Sequence, residues 1–323
     1  MAGSGATQGE MTGAPRVLVV AGTHGNERNA PWLLQQWRQR PELLQRHGLD
    51  VQLEIGNPEA FAAQRRYIER DLNRSFLPEL LADPSQQGVE VQRARQLLER
   101  FGPGGPAACP VALDLHSTTA AMGNSLVVYG RRPADLALAA AIQHRLGLPI
   151  YLHEADAFQV GYLVERWPCG LVIEVGPVAQ GLVTASICLQ SQLSLEAALA
   201  SLAEARVGRL RLPASLIVHR HCGSIDLPRN AGGDAIATLD PSLQGRDWQS
   251  LGVGDPIFAL ADGSRLRLGD LHADQGERSA ARRWPVFINE AAYGEKGIAF
   301  SLTERQRLAC DPSWTEALAD LLA

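Results

Sequence analysis

Two short segments of this chain carry side chains that could bind a metal ion. His24 and Glu27 stand three residues apart in a glycine-flanked turn, directly after the apolar run 17–20. His116 follows a second, largely apolar run at 111–115. Two histidine nitrogens and one carboxylate are the ligand set of a catalytic zinc ion, whose fourth position holds a water molecule. We therefore predict one zinc ion per subunit, bound by these three residues.

A further carboxylate, Glu174, stands inside the apolar run 171–175. A charge buried in a strand is costly unless it is paired or used. A glutamate beside a zinc-bound water can take its proton and return it to a leaving amine. We predict Glu174 to be the general base of metal-assisted amide hydrolysis, although a structural salt bridge with a buried arginine would give the same pattern.

Each metal ligand also has a purely structural interpretation. His24 and Glu27 could be a turn histidine and a glutamate at a helix N-terminus, where the helix dipole favours negative charge. His116 could be a hydrogen-bonded core histidine beside Asp114. His153 and Asp156 form a competing metal-binding pair, but no strand followed by a turn precedes them.

The elements that must position these side chains alternate between apolar strands and amphipathic helices. This pattern predicts an α/β fold with a mixed, mainly parallel sheet covered by helices on both faces. In such sheets ligands bind beyond the carboxyl ends of the strands, where His24 and His116 would meet. The predicted helices cover 29–40, 90–101, 135–146 and 191–206.

The chain divides near Pro213 into a larger and a smaller part. After it, short apolar stretches alternate with glycine, aspartate and proline turns, which indicates a smaller β-rich domain. We predict a disordered tail at 1–15, a catalytic domain at 16–212 and a β-rich domain at 213–323 that covers the mouth of the active site.

Composition excludes several classes of partner. A net charge of −5 argues against nucleic acid and anionic membranes as partners. The five cysteines are scattered without a Cys-x-x-Cys pair, and the first residues lack the pattern of a signal peptide. We therefore predict a cytoplasmic protein and leave a homo-oligomer open. Of the 30 basic residues, Lys296 is the single lysine, so arginine is the default cation of this chain.

The sequence resembles the aspartoacylase and succinylglutamate desuccinylase family of zinc-carboxypeptidase-like hydrolases over nearly its whole length. The resemblance implies that His24, Glu27 and His116 hold zinc and that Glu174 is the base. It implies that Arg66 polarises the scissile carbonyl, and that Arg66, Asn73, Arg74, Glu174 and Tyr293 contact the substrate. Six ordered blocks carry it: 22–27, 66–68, 71–74, 114–116, 174–177 and 286–293.

The resemblance favours N-acetyl-L-aspartate as the substrate, with acetate and L-aspartate as products. A guanidinium can hold a substrate carboxylate by two parallel hydrogen bonds. Mammalian aspartoacylases carry a further substrate-binding arginine before the base, but Tyr162 stands there and Arg166 is out of register. An N-acyl aromatic amino acid or N-succinylglutamate therefore stays an alternative substrate. A non-catalytic protein that binds zinc or a metabolite is the alternative from another class.

Overall fold

A nine-stranded mixed sheet is the centre of the fold. The structure, a computed structural model, describes residues 13–154, 159–271 and 282–323. Most of the tail predicted at 1–15 therefore lies outside the described residues. The strands are β1 (Arg16–Ala21), β2 (Asp50–Ile55), β3 (Val111–Ser117), β4 (Gly123–Tyr129), β5 (Ile150–His153), β6 (Cys169–Gly176), β7 (Ser215–Asp226), β8 (Ala237–Leu239), β9 (Pro256–Leu260), β10 (Arg265–Arg267), β11 (Trp284–Val286) and β12 (Ile298–Ala309).

All four predicted helices are present, and one of them begins clearly earlier than predicted; the other helices given below were not predicted. The helix predicted at 191–206 begins at Ala185, because Ile187 and Cys188 are buried and favour a longer helix than the local sequence suggests. The helices are α1 (Asn29–Gln39), α2 (Pro58–Ala63), α3 (Pro78–Ala82), α4 (Val89–Phe101), α5 (Pro133–Leu146), α6 (Ala185–Arg206), α7 (Leu268–Leu271), α8 (Ala291–Gly294) and α9 (Pro312–Asp320).

The order of strands brings the chemically important strands together. The large sheet has the order β11-β12-β7-β5-β4-β6-β3-β1-β2. Strand β1 pairs in parallel with β2 and β3, and β3 pairs in parallel with β6. Strand β4 runs antiparallel to β6, whereas β5 is parallel to β4 and β7 is parallel to β5. In this register His116 is the direct partner of Glu174, and Glu174 is also the partner of Ser125. The predicted mixed, mainly parallel sheet is confirmed.

Helices cover both faces of this sheet, as predicted. On one face α1, α5, α6 and α9 bury the largest apolar cluster against alternate residues of the strands. On the other face α4 and several loops bury a second cluster, which includes Val20, Val172 and Phe287. Because side chains alternate between the faces of a strand, Asp114, His116 and Glu174 lie on this second face.

The residues after Pro213 take part in two sheets. Strands β7, β11 and β12 extend the large sheet, where His219 of β7 is the partner of Tyr151 of β5. Strands β8, β9 and β10 form a separate three-stranded antiparallel sheet over its own apolar cluster. Within the described part of the chain, no helix has the length and apolarity needed to cross a membrane.

Candidate active site

The turn after β1 holds two of the predicted metal ligands in a fixed place. A Cβ atom on Gly25 would lie 2.1 Å from the backbone carbon of Ala60, so only glycine allows this turn to pack against α2. The amide of Gly25 also donates to the carbonyl oxygen of Arg66 at 3.2 Å. The same contact therefore positions His24 beside Arg66.

The structure brings His24, Glu27 and His116 together in a buried cleft. One ligand atom from each of the three lies within 4.8 Å of the other two. His24 Nδ1 is 2.6 Å from one carboxylate oxygen of Glu27, and His116 Nδ1 is 3.1 Å from the other. Both imidazoles thus direct the same nitrogen, Nδ1, toward Glu27. This is a donor set for a metal ion that prefers nitrogen and carboxylate ligands.

The second nitrogen of each imidazole contacts its own carboxylate. His24 Nε2 is 3.0 Å from Asp71 Oδ1, and His116 Nε2 is 2.7 Å from Asp114 Oδ2. Thr23 donates to the other oxygen of Asp114 at 2.7 Å. Such partners orient a ligating histidine and increase its basicity. Sequence reasoning did not assign these roles, although the two-residue spacing of Asp114 and His116 on β3 places both on one face.

The electrostatics of this cluster follow from its burial and its contacts. Burial alone would raise the pKa of Glu27, but His24 and His116 lower it below its ordinary value. Burial alone would lower the pKa of His116, but Asp114 and Glu27 raise it well above its ordinary value. The site therefore stabilises positive charge between the two imidazoles and Glu27.

Glu174 lies next to this cluster, as the register of β3 and β6 requires. Its side chain lines the cleft and is 9% exposed. Burial raises the pKa of Glu174 well above its ordinary value; Glu27 and Glu290 raise it further, while His116 opposes them. A carboxylate with a raised pKa holds a proton more strongly, which suits a group that must accept a proton and then return it.

Arg66 also borders the cluster. Its guanidinium lies 3.2 Å from Asp71 Oδ2 and 3.5 Å from Glu27 Oε1, and Nη2 lies 2.8 Å from His24 Nε2. Burial alone would lower the pKa of Arg66, but Asp71 and Glu27 raise it. A fixed positive charge therefore borders the space between Glu174 and the predicted metal ligands.

The predicted substrate residues Asn73 and Arg74 also line the cleft. The amide of Asn73 donates to Asp114 Oδ2 at 3.3 Å and accepts from the amide of Leu163 at 2.9 Å, so it links two loops. The guanidinium of Arg74 lies 4.2 Å from the ring centre of Tyr162, which is the geometry of a cation–π contact. Tyr162 in turn stacks on Tyr129 at 4.0 Å between ring centres.

Residues far along the chain complete the wall of the cleft. Tyr293 lies in the short helix α8, because Phe287 and Asn289 have positive φ angles that end the extended backbone of β11. Burial raises the pKa of Tyr293 to about 12, and its hydroxyl accepts a hydrogen bond from Ser301 at 3.2 Å. Lys296, which the motif analysis did not assign to the site, also lines the cleft.

Glu290 joins this late segment to the loop after β3. Its carboxylate accepts hydrogen bonds from the Thr118 hydroxyl, from the amide and hydroxyl of Thr119 at 2.8 Å, and from the amide of Ala120 at 3.3 Å. The other oxygen accepts from the amide of Ala292 at 3.2 Å. The segment that carries Tyr293 is therefore fixed to the loop that follows His116.

The competing metal pair receives no support from the described residues. Asp156 lies outside them, and the neighbouring Glu154 pairs with Arg131 at 2.8 Å. His153 is buried among aromatic side chains, with its ring 5.6 Å from that of Tyr129. In the described ranges, His24, Glu27 and His116 are the group found with metal-binding geometry.

The cleft itself has a volume of about 90 Å³. This exceeds the roughly 10–15 Å³ that a cavity needs to hold a single water molecule. It therefore suits a small polar molecule. Its lining combines four carboxylates, three cations and several aromatic rings.

Two family models and several known proteins match this chain. Residues 13–202 match the succinylglutamate desuccinylase/aspartoacylase catalytic domain, and residues 214–305 match the AstE/AspA barrel-sandwich hybrid domain. A protein described as "Probable aspartoacylase" from Synechococcus sp. (strain CC9605) is 58% identical over 307 residues, which cover 95% of this chain and 98% of that protein.

Solved structures with the same fold include two with named activities. Murine aminoacylase 3 is 36% identical and has a TM-score of 0.79, with 92% of this chain and 97% of that chain covered. Succinylglutamate desuccinylase from Chromobacterium violaceum is 19% identical with a TM-score of 0.60, and 92% and 86% are covered. The second likeness concerns the fold alone.

Proposed function

The chain belongs to the succinylglutamate desuccinylase/aspartoacylase family, and we propose that it is a zinc-dependent amidohydrolase that removes the acyl group from N-acyl amino acids. The observation that carries this proposal is the convergence of His24, Glu27 and His116 beside Glu174 in one buried cleft. Two imidazole nitrogens and one carboxylate leave room for further ligands, as in catalytic zinc sites.

The residues present suit zinc in their chemistry. Both Nδ1 atoms face the Glu27 carboxylate, and Asp71 and Asp114 hold the far nitrogens. When bound there, zinc would supply a Lewis acid that polarises a carbonyl group and lowers the pKa of water.

The side chains around this site would divide the remaining work. Glu174 takes a proton from the attacking water and later gives it to the nitrogen of the leaving amine. Arg66 donates hydrogen bonds to the carbonyl oxygen, whose negative charge grows as the water attacks. Because Asp71 and Glu27 hold the guanidinium in place, its charge is in position before the reaction begins.

The preferred substrate in this proposal is N-acetyl-L-aspartate, which is cleaved to acetate and L-aspartate. This substrate carries two carboxylates and therefore needs two cations besides Arg66. Arg74 and Lys296 both line the cleft and lie close enough for the charge of Arg74 to lower the pKa of Lys296. Lys296 would thus be the second cation for the two substrate carboxylates, in a chain that has Tyr162 where mammalian aspartoacylases have an arginine.

An N-acyl aromatic amino acid is the second candidate, and one observation favours it. Tyr162 stacks on Tyr129, and both rings line the cleft together with Tyr151. Such a wall would accept an aromatic side chain through offset or edge-to-face contacts. N-succinylglutamate stays a third substrate to compare.

We further propose that residues 213–323 act as a cover over the mouth of the cleft and admit small molecules only. Phe287, Glu290, Tyr293 and Lys296 line the cleft together with the proposed catalytic residues. A covered cleft excludes water and strengthens the electrostatic contribution of Arg66. The predicted cytoplasmic location and a homo-oligomeric state stay predictions.

The test is to purify the protein, measure its zinc content, and follow amine release from three substrates with and without a chelator. The substrates are N-acetyl-L-aspartate, N-acetyl-L-tyrosine and N-succinyl-L-glutamate. We expect about one zinc ion per chain and chelator-sensitive turnover that is fastest with N-acetyl-L-aspartate. Faster turnover of another substrate would keep the mechanism and change the specificity, whereas bound zinc without any turnover would favour a binding protein.

A further inference from the structure

A second cleft lies away from the catalytic one and shares no lining residue with it. Its volume is about 430 Å³, which is within the usual range for small-molecule sites. The floor is β7, at Ile217 and His219, and one wall is the end of α5 with the loop at Leu148. Gln143 closes this wall, because its amide both accepts from the Ile217 amide and donates to the Ile217 carbonyl oxygen.

Three aromatic rings line the cleft at fixed angles. The ring of His219 lies 5.0 Å from that of Trp248 and 5.9 Å from that of Trp284, and both pairs are edge-to-face. Burial and the nearby Arg305 lower the pKa of His219 to about 4, so its ring is neutral at pH 7. The three rings therefore offer flat, uncharged surfaces.

The backbone holds Trp248 in a conformation that a bulky residue rarely adopts. Its φ angle is +66°, and two hydrogen bonds fix it: the amide donates to Pro285 O at 2.9 Å, and the indole donates to Met122 O at 2.8 Å. A left-handed conformation at a residue other than glycine costs roughly 1–3 kcal/mol and is typical of ligand-binding positions. The two hydrogen bonds therefore keep the indole at the cleft despite this strain.

Arg305 gives the cleft a positive charge. It lies on β12 directly opposite His219 of β7. No carboxylate lines the cleft, and within the described ranges the guanidinium forms no ion pair or hydrogen bond. A cation beside aromatic surfaces, with no acid to neutralise it, is complementary to a flat molecule that carries one negative charge.

We propose that this cleft is a second ligand site that binds an aromatic carboxylate, with the ring against the indoles of Trp248 and Trp284 and the carboxylate on Arg305. The occupant is a small molecule with one ring system and one acidic group. It is distinct from the substrate of the catalytic cleft, because the catalytic cations Arg66, Arg74 and Lys296 are not part of this site.

The test is calorimetric titration of the full chain, loaded with zinc, with indole-3-acetate as the probe. Saturating L-aspartate, the product of the proposed reaction, is present to fill the catalytic cleft, since N-acetyl-L-aspartate would be hydrolysed during the titration. We expect one binding event per chain, and we expect indole-3-acetamide, which lacks the charge, to bind at least about tenfold more weakly. Hexanoate, which lacks the ring, should also bind at least tenfold more weakly.

Variants assign the binding to this cleft. Arg305→Gln should weaken binding of indole-3-acetate about tenfold or more, and Trp284→Leu should do the same. Arg40→Gln is the control, because Arg40 is also exposed but lies at the end of α1 and does not line the cleft. Arg305 is exposed, so Arg305→Gln should leave the thermal unfolding temperature unchanged. The test therefore stays valid even if Trp284→Leu does not fold.

Two outcomes would overturn the proposal. One is the absence of saturable binding at millimolar indole-3-acetate. The other is binding that is equal in Arg305→Gln and Arg40→Gln but is lost in Arg74→Ala, since the probe would then occupy the catalytic cleft.

Discussion

The end of the cleft with the proposed metal ligands and the end with the proposed substrate residues are built in different ways. At the proposed metal-binding end, His116 and Glu174 are paired strand residues, and the Nε2 atom of each histidine contacts a carboxylate. At the substrate-binding end, Arg74 and Tyr162 lie at short 3₁₀ turns and contact each other through a ring face. The proposed chemistry thus depends on the register of the sheet, whereas substrate choice depends on turns that can change without disturbing it.

The largest effect should come from the proposed base. Glu174→Gln keeps the shape of the side chain but cannot accept a proton, so we expect turnover to fall by about 10²–10⁴-fold. Zinc content should be unchanged, since Glu174 is not one of the proposed ligands. Steady-state kinetics and metal analysis measure the two quantities, and Glu204→Gln at an ion pair far from the cleft is the control. Retained activity would refute the assignment of Glu174.

Removing the carboxylate that contacts Nε2 of a histidine should have a smaller effect, namely a lower affinity for zinc. Asp114→Asn should lower zinc affinity about 10–100-fold, because the partner of His116 Nε2 loses its charge. Asp71→Asn should give a similar loss through His24. Competition with a chromogenic chelator measures affinity without any assay of activity. If both variants bind zinc as tightly as the wild type, these carboxylates do not support the ligands.

A change at the substrate-binding end should alter preference without altering the metal. Tyr162→Arg should raise kcat/KM for N-acetyl-L-aspartate relative to N-acetyl-L-tyrosine by about tenfold, because a charge-assisted hydrogen bond contributes roughly 1.5–3 kcal/mol. Tyr162→Phe keeps the ring against Arg74 and Tyr129 and should leave the ratio nearly unchanged. An unchanged ratio in Tyr162→Arg would show that this position does not select the substrate.

The smallest effect concerns the pH dependence of substrate binding. Partial burial and the charge of Arg74 lower the pKa of Lys296 to about 8. Lys296 is therefore a cation at pH 7 and loses its charge as the pH rises through 8. KM for N-acetyl-L-aspartate should rise up to about fivefold between pH 7 and pH 9, as expected for a partly exposed ion pair.

Two variants at Lys296 check this interpretation. Lys296→Arg should keep KM constant over the same range, since arginine stays charged. Lys296→Met should give the high value at both pH values. A rise in KM that persists in Lys296→Arg would assign the pH effect to another group.

The difference between residues placed by strands and residues placed by turns also explains which parts of the site the sequence could predict. His24, His116 and Glu174 stand at the ends of or inside apolar runs, which predicted strand-end positions for them, and the family resemblance then favoured one site over the structural alternatives. The partners Asp71 and Asp114 were visible in the sequence, but which imidazole nitrogen they contact depends on how Glu27, in the turn after β1, orients the two rings in the folded chain. The stacking of Arg74 on Tyr162 joins turns that are far apart in the chain, and no local pattern encodes such a contact.

The arrangement of the residues after Pro213 was not predicted either, because it also depends on contacts between distant parts of the chain. Apolar stretches after Pro213 indicated strands, yet their alternation does not tell which sheet they join. Strand β7 pairs with β5 of the large sheet, while β8, β9 and β10 pair among themselves. The positive φ angles of Phe287 and Asn289, which turn the late block into the helix α8, are likewise set by tertiary contacts.

The pairing of β7 with β5 has a consequence for fragments of this chain. Strand β5 has four residues, all of them buried, and it lies between β4 and β7. A fragment that ended near residue 212 would turn β5 into an unprotected edge, with apolar side chains and free backbone amides next to the catalytic cleft. Exposed edges of this kind recruit strands from other molecules. Such a fragment should therefore self-associate rather than persist as an isolated enzyme core.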